Sequence, residues 1–408
     1  MRIVYLTQWF EPEPNIIKGI AFVNALAAAG YEVGVVTGLP NYPTGRLYRG
    51  YRWRLYQRET IAGVAITRLP LYPSHDASSL RRALNFGSFF LSALLWLLIR
   101  RRHCDLAYVY HPPITVGLAA ALAGLVRRLP FVLDIQDLWP DTLTATGMAG
   151  AARLAPLAGA LCGFVYRRAA AIIVQSDGMR ATLVARGVPV AKIAVIHNWA
   201  MQETLPPVPN AAEPGRPFTI VYGGNLGRAQ ALGTVIEAAT ILDATASGIL
   251  IELYGEGIEE GALRAQAECL GLRNLRFHGR VSQDRITAQF ADADALLLHL
   301  ADDPLFAITI PSKTQAYLAM GRPIIAGIAG DAAELLRRSG GALVVPPQDA
   351  AALAGAMRAL AEQSLEEREA MGARGQAFYH AELSFAAGMA QTLAVLTGTH
   401  AQEPRPHP

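Results

Sequence analysis

Short apolar runs alternate with helical segments along this chain, and the whole alternation occurs twice. In the first series the predicted strands are residues 3–7, 33–37, 106–110, 131–135, 171–174 and 193–196. In the second they are residues 218–222, 249–254, 275–278, 295–299, 323–326 and 342–345. Strands that alternate with helices form parallel sheets covered by helices. The pattern therefore predicts an α/β protein with two Rossmann-like halves.

A proline-rich stretch at residues 201–217 separates the two series and has the composition of a linker. A chain of 408 residues is also too long for one ordinary core. We therefore predict an N-terminal domain at 1–200, the linker at 201–217 and a C-terminal domain at 218–375. A helix at 376–398 is expected to cross back, followed by a disordered tail at 399–408. Because ligands bind at the carboxyl ends of parallel strands, we expect the two domains to face each other across a cleft.

The composition excludes several classes of protein. With 52% hydrophobic and 17% charged residues the chain folds, and the balance suggests contact with lipid. A net charge of +3 is too small for a nucleic-acid binder. The three cysteines form no C-x-x-C pair, which argues against a disulfide framework or a zinc site and fits a reducing cytosol. The chain starts directly with a strand, so no secretory signal is predicted.

Two segments of the second half have the composition of phosphate sites. Residues 223–228, with the sequence GGNLGR, follow a predicted strand, where glycines admit a close ligand and Arg228 can add a charge-assisted bond. The alternative is a tight turn, and the absence of G-x-G-x-x-G does not support a dehydrogenase-type site. Pro311 suits the first position of a helix that would present Ser312, Lys313 and their N–H groups to an anion. Here the alternative is an ordinary capped helix.

Candidate residues of the first half follow its strands. Asp134, Asp137 and Asp141 lie at and beyond one strand end, where carboxylates can act in catalysis, although solvated or capping aspartates would have the same pattern. His111 also follows a strand, and a packed histidine and a functional one are equally compatible with it. Lys18–Gly19 could form a backbone nest for an anionic acceptor or simply begin a helix.

Two further patterns bear on metals and membranes. Asp292 and Asp294 form a D-x-D motif, but between a helix end and a buried strand we interpret it as a turn and predict no essential metal. Residues 84–99 are almost uncharged and flanked by arginines, which places a membrane-associated helix within residues 81–102. About 16 apolar residues are fewer than a bilayer span needs, so the helix would be buried or would dip into one leaflet.

Seven segments together resemble a known family. They are residues 38–45 (GLPNYPTG), 71–76 (LYPSHD), 110–113 (YHPP), 134–141 (DIQDLWPD), 197–199 (HNW), 222–227 (YGGNLG) and 311–323 (PSKTQAYLAMGRP). Over nearly its whole length the chain resembles retaining family-4 glycosyltransferases of the GT-B fold. The similarity is greatest to the bacterial branch that includes N-acetylfucosaminyl transferases of O-antigen and capsule assembly.

The resemblance implies a UDP-sugar as substrate, with no cofactor or metal, and a polyprenyl-diphosphate-linked acceptor at the cytoplasmic membrane face. It implies donor binding in the C-terminal domain by Gly224, Asn225, Gly227, Arg228, His278, Gly279, Arg280, Ser312 and Lys313. It implies acceptor binding by Lys18, Gly19 and Asn41, and catalytic roles for Asp137, His111 and Asn198. Gly19, Asp137 and Asn198 would contact the reacting sugar, and a helix N-terminus would stabilise the departing diphosphate.

The chain departs from the family pattern at one point. The wider family carries two glutamates that would fall on Ile308 and Ala316 here, and the second usually binds the donor ribose. Either Glu334, Asp331 or Asp302 binds the ribose instead, or the donor is bound weakly. Two alternatives to a transferase stay open, a nucleotide-sugar epimerase of the same shape and a non-catalytic partner in a polysaccharide-assembly complex.

Overall fold

The computed structural model describes residues 1–14, 17–75, 78–99, 104–111, 113–141, 151–200, 215–245 and 248–401. The chain divides into two compact units. The first comprises Met1–His197 and Met389–Pro408, and the second comprises Asn198–Gly388. Most of the predicted linker and most of the predicted tail lie outside the described residues.

The first unit is built on a sheet of order β3-β4-β2-β1-β5-β6-β7-β8. Its strands are β1 Arg2–Leu6, β2 Glu32–Gly38, β3 Gln57–Ile61, β4 Val64–Leu69, β5 Leu106–His111, β6 Phe131–Ile135, β7 Ala171–Val174 and β8 Ile193–Val195. The pairing is parallel except between β3 and β4, which form a hairpin. Ala62 and Gly63 turn this hairpin with positive φ angles of 47° and 82°, the geometry of a two-residue primed turn.

Helices cover this sheet between the strands. They are α1 Ile20–Ala28, α2 Ser79–Ile99, α3 Ile114–Arg127, α4 Ala151–Arg168 and α5 Asp177–Ala185. Asn85, Phe89, Ala93 and Leu97 form the buried face of α2 at four-residue spacing, as expected for one stripe of a helix. The helix packs against α3 and is 21 residues long, five more than the apolar run at residues 84–99 predicted.

The second unit is built on a fully parallel sheet of order β11-β10-β9-β12-β13-β14. Its strands are β9 Phe218–Gly223, β10 Ile249–Tyr254, β11 Leu275–Gly279, β12 Ala295–His299, β13 Ile324–Gly327 and β14 Ala342–Val345. This is the doubly wound Rossmann order, in which the connections change direction between β9 and β12. The carboxyl ends of these two strands define the crevice where ligands of such sheets bind.

The helices of the second unit follow the strands in the expected rhythm. They are α6 Gly233–Asp243, α7 Glu260–Cys269, α8 Gln283–Asp292, α9 Pro304–Ala307, α10 Ser312–Met320, α11 Gly330–Ser339, α12 Ala350–Ala361 and α13 Leu365–Phe378. A final helix, α14 Phe385–Ala401, carries the chain from the second unit into the first. The prediction of two Rossmann-like α/β domains is confirmed, and every predicted strand is present.

Candidate functional site

Two loops meet at the switch point of the second unit. The Ala301 N–H, after β12, donates to the Ala229 carbonyl, after β9, at 2.9 Å. His299 ends β12, and its Nε2 accepts from the Gln348 N–H at 3.3 Å. Its Nδ1 therefore carries the proton and donates to the Gln230 carbonyl at 2.7 Å. Burial lowers the pKa of His299, so its ring is neutral and holds the Gln230 and Gln348 loops together beside the crevice.

The glycine-rich segment after β9 is packed directly on the loop after β10. A Cβ added to Gly255 would collide with the Gly224 carbonyl, and one added to Gly257 with the Leu226 carbonyl. Gly224 and Gly255 also have φ angles of 149° and 136°, which favour glycine. The glycines are therefore required for the close approach of two loops.

Most backbone N–H groups of this segment already have partners within the protein. Gly224 donates to the Tyr254 carbonyl and Leu226 to the Glu256 carbonyl, each at 2.9 Å. Gly227 donates to Gln230 Oε1 at 3.2 Å. The predicted phosphate role of Gly224 and Gly227 is thus limited to leaving space, because their N–H groups are occupied.

Lys313 lies over the space that Gly224 leaves. A Cβ on Gly224 would collide with Cε and Nζ of Lys313. The ammonium donates to Tyr222 Oη at 2.6 Å and lies 3.9 Å from the centre of that ring. Burial lowers the pKa of Lys313 to about 7. Among the acidic side chains that the structure describes, none lies within ion-pair distance of it, so this cation is desolvated and lacks a counter-anion.

Two tyrosines that the sequence did not single out hold this arrangement. The Tyr222 hydroxyl donates to the Asn225 carbonyl at 2.6 Å, which ties the lysine partner to the glycine-rich segment. Tyr317 Oη accepts from the Gly223 N–H at 3.1 Å. The available signals were the place of Tyr222 directly before two glycines and the spacing of Tyr317 one helical turn after Lys313.

The beginning of α10 adds a second favourable feature for an anion. Pro311 precedes the helix, and its first turn contains no acidic residue. The N-terminal partial charge of the helix is therefore not compensated there by a carboxylate. Ser312 is the first helical residue and is exposed, beside Lys313.

The predicted donor-binding residues His278, Gly279 and Arg280 lie at the end of β11. The ring of His278 stacks on Tyr254 at 4.3 Å between centroids. The Gly279 carbonyl accepts from the Gly255 N–H at 2.8 Å, so this turn joins the same loop cluster. Arg280 pairs with Glu256 at 2.8 Å and stays exposed. The structure thus brings His278, Gly279 and Arg280 beside the glycine-rich loops.

Arg228 and Glu334 were also predicted to bind the donor. Arg228 is exposed and lies 3.4 Å from Glu259, whose N–H donates to the Leu226 carbonyl at 3.0 Å. Glu334 is exposed on α11, and its ion-pair partner is Arg337 at 3.7 Å. None of the contacts described for Glu334 joins it to the glycine-rich loops.

In the first unit the predicted acceptor residue Lys18 is part of the interior. Its side chain is fully buried and forms an ion pair with the equally buried Asp134. Asp134 also accepts from the Tyr108 hydroxyl and, at 2.7 Å, from Gln136 Nε2. The interpretation of Lys18 as an acceptor contact is therefore wrong for its side chain, because a buried ammonium satisfied by a carboxylate cannot face a ligand.

The anion nest predicted at Lys18–Gly19 is filled by the protein itself. Glu11 Oε1 accepts from the Ile20 N–H at 2.8 Å, at the start of α1. A Cβ on Gly19 would collide with this carboxylate. Gly19 consequently makes room for Glu11, which supplies the negative charge that the helix N-terminus favours.

Asn41 also has a structural environment. It is 1% exposed, and its side chain donates to the Leu39 carbonyl at 3.0 Å. The N–H groups of Asn41 and Tyr42 both donate to Glu13 Oε1 at 2.8 Å. Asn41 therefore joins two loops, and the prediction that its side chain binds acceptor is wrong in this structure because that side chain is buried.

The predicted catalytic residues have different surroundings. Asp137 follows β6 and stays accessible to solvent, while desolvation by neighbouring groups raises its pKa. His111 ends β5 and pairs with Ile135 in the sheet, and its side chain lies outside the described atoms. Asn198 is 8% exposed and begins the second unit.

Comparison with known proteins identifies the family. Residues 21–199 match the model of the glycosyl transferase 4-like domain, and residues 217–363 match that of glycosyl transferases group 1. A relative in Escherichia coli K12 assigned as the colanic acid biosynthesis glycosyl transferase WcaI is 30% identical over 313 residues, which span 73% of this chain and 76% of WcaI. The chain is therefore a member of this glycosyltransferase family.

Solved structures show that this glycosyltransferase has the GT-B fold. Anabaena HepE in complex with UDP has a TM-score of 0.68 at 15% identity, covering 98% of this chain and 100% of HepE. Sucrose-phosphate synthase from Thermosynechococcus elongatus has a TM-score of 0.69 at 18% identity, covering 98% of this chain and 100% of the synthase. The lipopolysaccharide outer core galactosyltransferase WaaB has a TM-score of 0.64 at 13% identity, covering 98% of this chain and 99% of WaaB.

The glycosyltransferase lacks glutamates at two positions where the wider family was expected to have them. Ile308 directly follows α9, and Ala316 is a partly buried residue of α10. Of the expected substitutes, Asp302 donates its N–H to Gln348 Oε1 at 2.8 Å, at the rim of the switch-point crevice. This bond joins Asp302, one of the expected substitutes, to the rim of the candidate site.

The D-x-D motif of the glycosyltransferase has a structural role. Asp294 is 7% exposed and receives two bonds of 2.8 Å from Arg216 and a third from the Thr219 N–H. It therefore ties the start of β9 to the end of α8. Among the residues that the structure describes, no group of three His, Cys, Asp or Glu side chains is arranged to hold a metal.

Proposed function

We propose that this glycosyltransferase transfers a sugar from a UDP-sugar to a polyprenyl-diphosphate-linked acceptor in bacterial surface polysaccharide assembly. The reaction retains the anomeric configuration and needs no metal, and the sugar is of the hexosyl or N-acetylhexosaminyl type, with an N-acetylated deoxyhexose as one candidate. One observation carries the proposal. Lys313 is a desolvated cation over Gly224 at the switch point, and no acidic side chain of the described residues lies within ion-pair distance of it.

A leaving diphosphate fits this environment. Positive charge aimed at the position where negative charge develops lowers the barrier, and it acts more strongly where water is excluded. Lys313 and the beginning of α10 supply that charge from one element. This protein charge takes the part that a divalent cation plays in other transferases, which is why the proposed reaction is metal-independent.

The choice of UDP and of the pathway rests on relatives. HepE has been solved with UDP, with UDP and glucose, and with UDP-glucose. WcaI is assigned to colanic acid biosynthesis. We extend both to this chain as parts of the proposal.

Asp137 is the proposed catalytic residue of the first unit. Its carboxylate is exposed directly after β6, and the raised pKa makes it a stronger base than a fully hydrated carboxylate, as proton acceptance requires. His111 is proposed as a further catalytic residue of the first unit, and Asn198 as a catalytic residue of the second.

Helix α2 supports a location at the inner face of the membrane. Of the described residues, one helix, Leu80–Ile99, is long and apolar enough to cross a bilayer, and 22% of it is buried. Leu84, Leu91 and Leu95 are exposed along one stripe of this helix. The opposite stripe is held to the domain, since Asn85 accepts from Gln8 Nε2 at 2.6 Å. We therefore propose that α2 lies on one leaflet while staying packed on its domain.

A transfer assay tests the function. UDP-sugars are supplied with polyprenyl-diphosphate-sugar vesicles, and product is followed for the wild type, Lys313→Ala and the control Lys192→Ala in the first unit. We expect lipid-linked product from the wild type and the control, with strong loss in Lys313→Ala. Sugar conversion without lipid would indicate an epimerase, and donor binding without turnover of any UDP-sugar would indicate a non-catalytic partner.

A further inference from the structure

A surface segment between β2 and β3 concentrates positive charge. Residues 46–58, here called the arginine segment, contain five exposed arginines, Arg46, Arg49, Arg52, Arg54 and Arg58. No acidic residue occurs between Glu32 and Glu59. Within the described part of the chain none of the five guanidinium groups forms an ion pair. Their charge therefore remains available to an external anion.

The same segment exposes large apolar side chains between the arginines. Trp53 is 62% exposed, Leu55 85% and Tyr56 54%. The guanidinium of Arg58 lies 5.9 Å from the ring centre of Tyr56. Exposed apolar side chains are unfavourable in water. The boundary between lipid headgroups and acyl chains accommodates both these side chains and arginines that form no ion pair with the described residues.

The arginine segment is fixed to the domain at its base. The Tyr48 hydroxyl donates to the Tyr42 carbonyl at 2.6 Å. Tyr51 donates to Glu59, and the Arg68 guanidinium lies 5.3 Å from its ring. The exposed residues Arg52 to Tyr56 therefore project from an anchored loop.

The start of the segment lies beside the start of α2. A Cβ on Gly45 would collide with the His75 backbone, four residues before that helix. The rings of Tyr42 and His75 meet edge to face at 4.7 Å. The segment is thus next to the element already proposed to contact lipid.

We propose that the arginine segment is an anionic-phospholipid docking surface, in which the arginines bind lipid phosphates and Trp53, Leu55 and Tyr56 enter the interface. The inference deepens the membrane location in the proposed function and rests on it. It adds a contact that is separate from α2 and depends on lipid charge, because each arginine near an anionic surface is attracted and the attraction is screened by salt.

Vesicle co-sedimentation tests the proposal with the full chain. Vesicles of phosphatidylglycerol and phosphatidylcholine are compared with phosphatidylcholine alone, at low and high salt. The variants are Arg52→Gln/Arg54→Gln and Trp53→Ala/Leu55→Ala. The control, Arg273→Gln/Arg276→Gln, removes two exposed arginines from the second unit, so it matches the change in net charge.

We expect the wild type and the control to bind the anionic vesicles, and salt to weaken both. Each arginine lost from the segment should weaken binding about fivefold, so the double variant should lose about 25-fold. The Trp53/Leu55 variant should weaken binding at both salt concentrations. Because all substituted side chains are exposed, the thermal unfolding midpoint should stay unchanged.

Three results would overturn the proposal. They are equal binding by Arg52→Gln/Arg54→Gln and the control, equal binding to the two vesicle types, and a preference for a soluble polyanion such as heparin over vesicles. UDP binding is measured on the same variants. A segment variant that loses vesicle binding but keeps UDP binding supports the docking surface without testing the transfer reaction. The transfer reaction fails only if the wild type shows neither donor binding nor turnover.

Discussion

At the scale of single residues, Lys313 accounts for most of the chemistry proposed. A lysine whose pKa is lowered to about 7 is only partly charged at neutral pH. A bound diphosphate would favour the charged form, so binding takes up a proton. The Tyr222 hydroxyl, whose pKa is raised by burial, stays protonated throughout and does not compete as a titrating group.

The first prediction concerns pH and donor affinity. Above pH 7 the free lysine loses its proton, so UDP affinity should fall by up to about tenfold per pH unit between pH 7.5 and 9.5. Calorimetry at several pH values measures it, in a range where the phosphates of UDP are already ionised. Lys313→Ala should bind UDP about 1–3 kcal/mol more weakly and lose this pH dependence. An unchanged slope in the variant would remove Lys313 from the site.

The second prediction concerns Tyr222. Tyr222→Phe keeps the ring under the ammonium but removes the hydroxyl that accepts from Lys313 and donates to Asn225. We expect UDP binding to weaken by about 1 kcal/mol, because the hydroxyl's bonds to Lys313 and to the Asn225 carbonyl are both lost. Calorimetry measures the UDP affinities of Tyr222→Phe and of the wild type. Equal affinities would show that the hydroxyl does not position the lysine.

The third prediction concerns Asp137. Asp137→Ala should lower turnover by about a hundredfold or more while UDP affinity stays nearly unchanged, because the residue belongs to the first unit. Steady-state kinetics and calorimetry on the same preparation measure both quantities. Parallel loss of turnover and UDP affinity, with a lowered unfolding midpoint, would instead give Asp137 a structural role.

Lys313 and Gly224 could be predicted from the sequence, whereas the groups that position them could not. Lys313 and Gly224 follow local rules for helix starts and strand ends, so they could be predicted. Tyr222 and Glu11 act across gaps of 91 and 9 residues, and only the folded chain shows these contacts. The buried state of Lys18 was missed for the same reason, since its partner Asp134 lies 116 residues away.

At the scale of elements, Glu13 joins the segments that follow β1 and β2. Its carboxylate accepts from the N–H groups of Phe10, Asn41 and Tyr42. Burial nevertheless raises its pKa from 4.5 to about 7, more than these bonds lower it. The folded chain therefore binds a proton at Glu13 more readily than the unfolded chain does.

The fourth prediction follows from this sign. Between about pH 4.5 and 7 the folded state holds more protons at Glu13, so its contribution to the free energy of unfolding should fall as pH rises, by up to about 3 kcal/mol. Glu13→Gln cannot titrate and should lack this component. Unfolding midpoints of both proteins from pH 5 to 7.5 measure the difference. A difference that stays constant with pH would contradict the assignment.

Elements were predictable where apolar periodicity was clear. The central parallel strands, such as β1, β6 and β12, are buried and mainly apolar, so their runs stand out. The hairpin β3–β4 was missed because Gln57, Arg58 and Glu59 on an edge strand lack an apolar pattern. Helix α2 was predicted within residues 81–102 and begins at Ser79, because Arg81 and Arg82 are part of its first turns although they lie outside the apolar run.

At the scale of the whole molecule, the twofold β/α series was sufficient to predict the architecture. Each series gives one sheet with a switch point, between β1 and β5 and between β9 and β12. Fold alone does not define a reaction, because related doubly wound domains support many activities. The proposed function therefore depends on the charge at the second switch point and on the relatives, beyond the topology.

Nucleotide binding tests the central claim most directly. Calorimetry on the purified chain compares UDP, GDP, ADP and NAD, with Lys313→Ala and Lys192→Ala as a matched pair of lysine variants. The account predicts selective binding of UDP, strongly weakened in the first variant and unchanged in the second. Equal affinity for all four nucleotides, or binding of none by a protein shown to be folded, would contradict it.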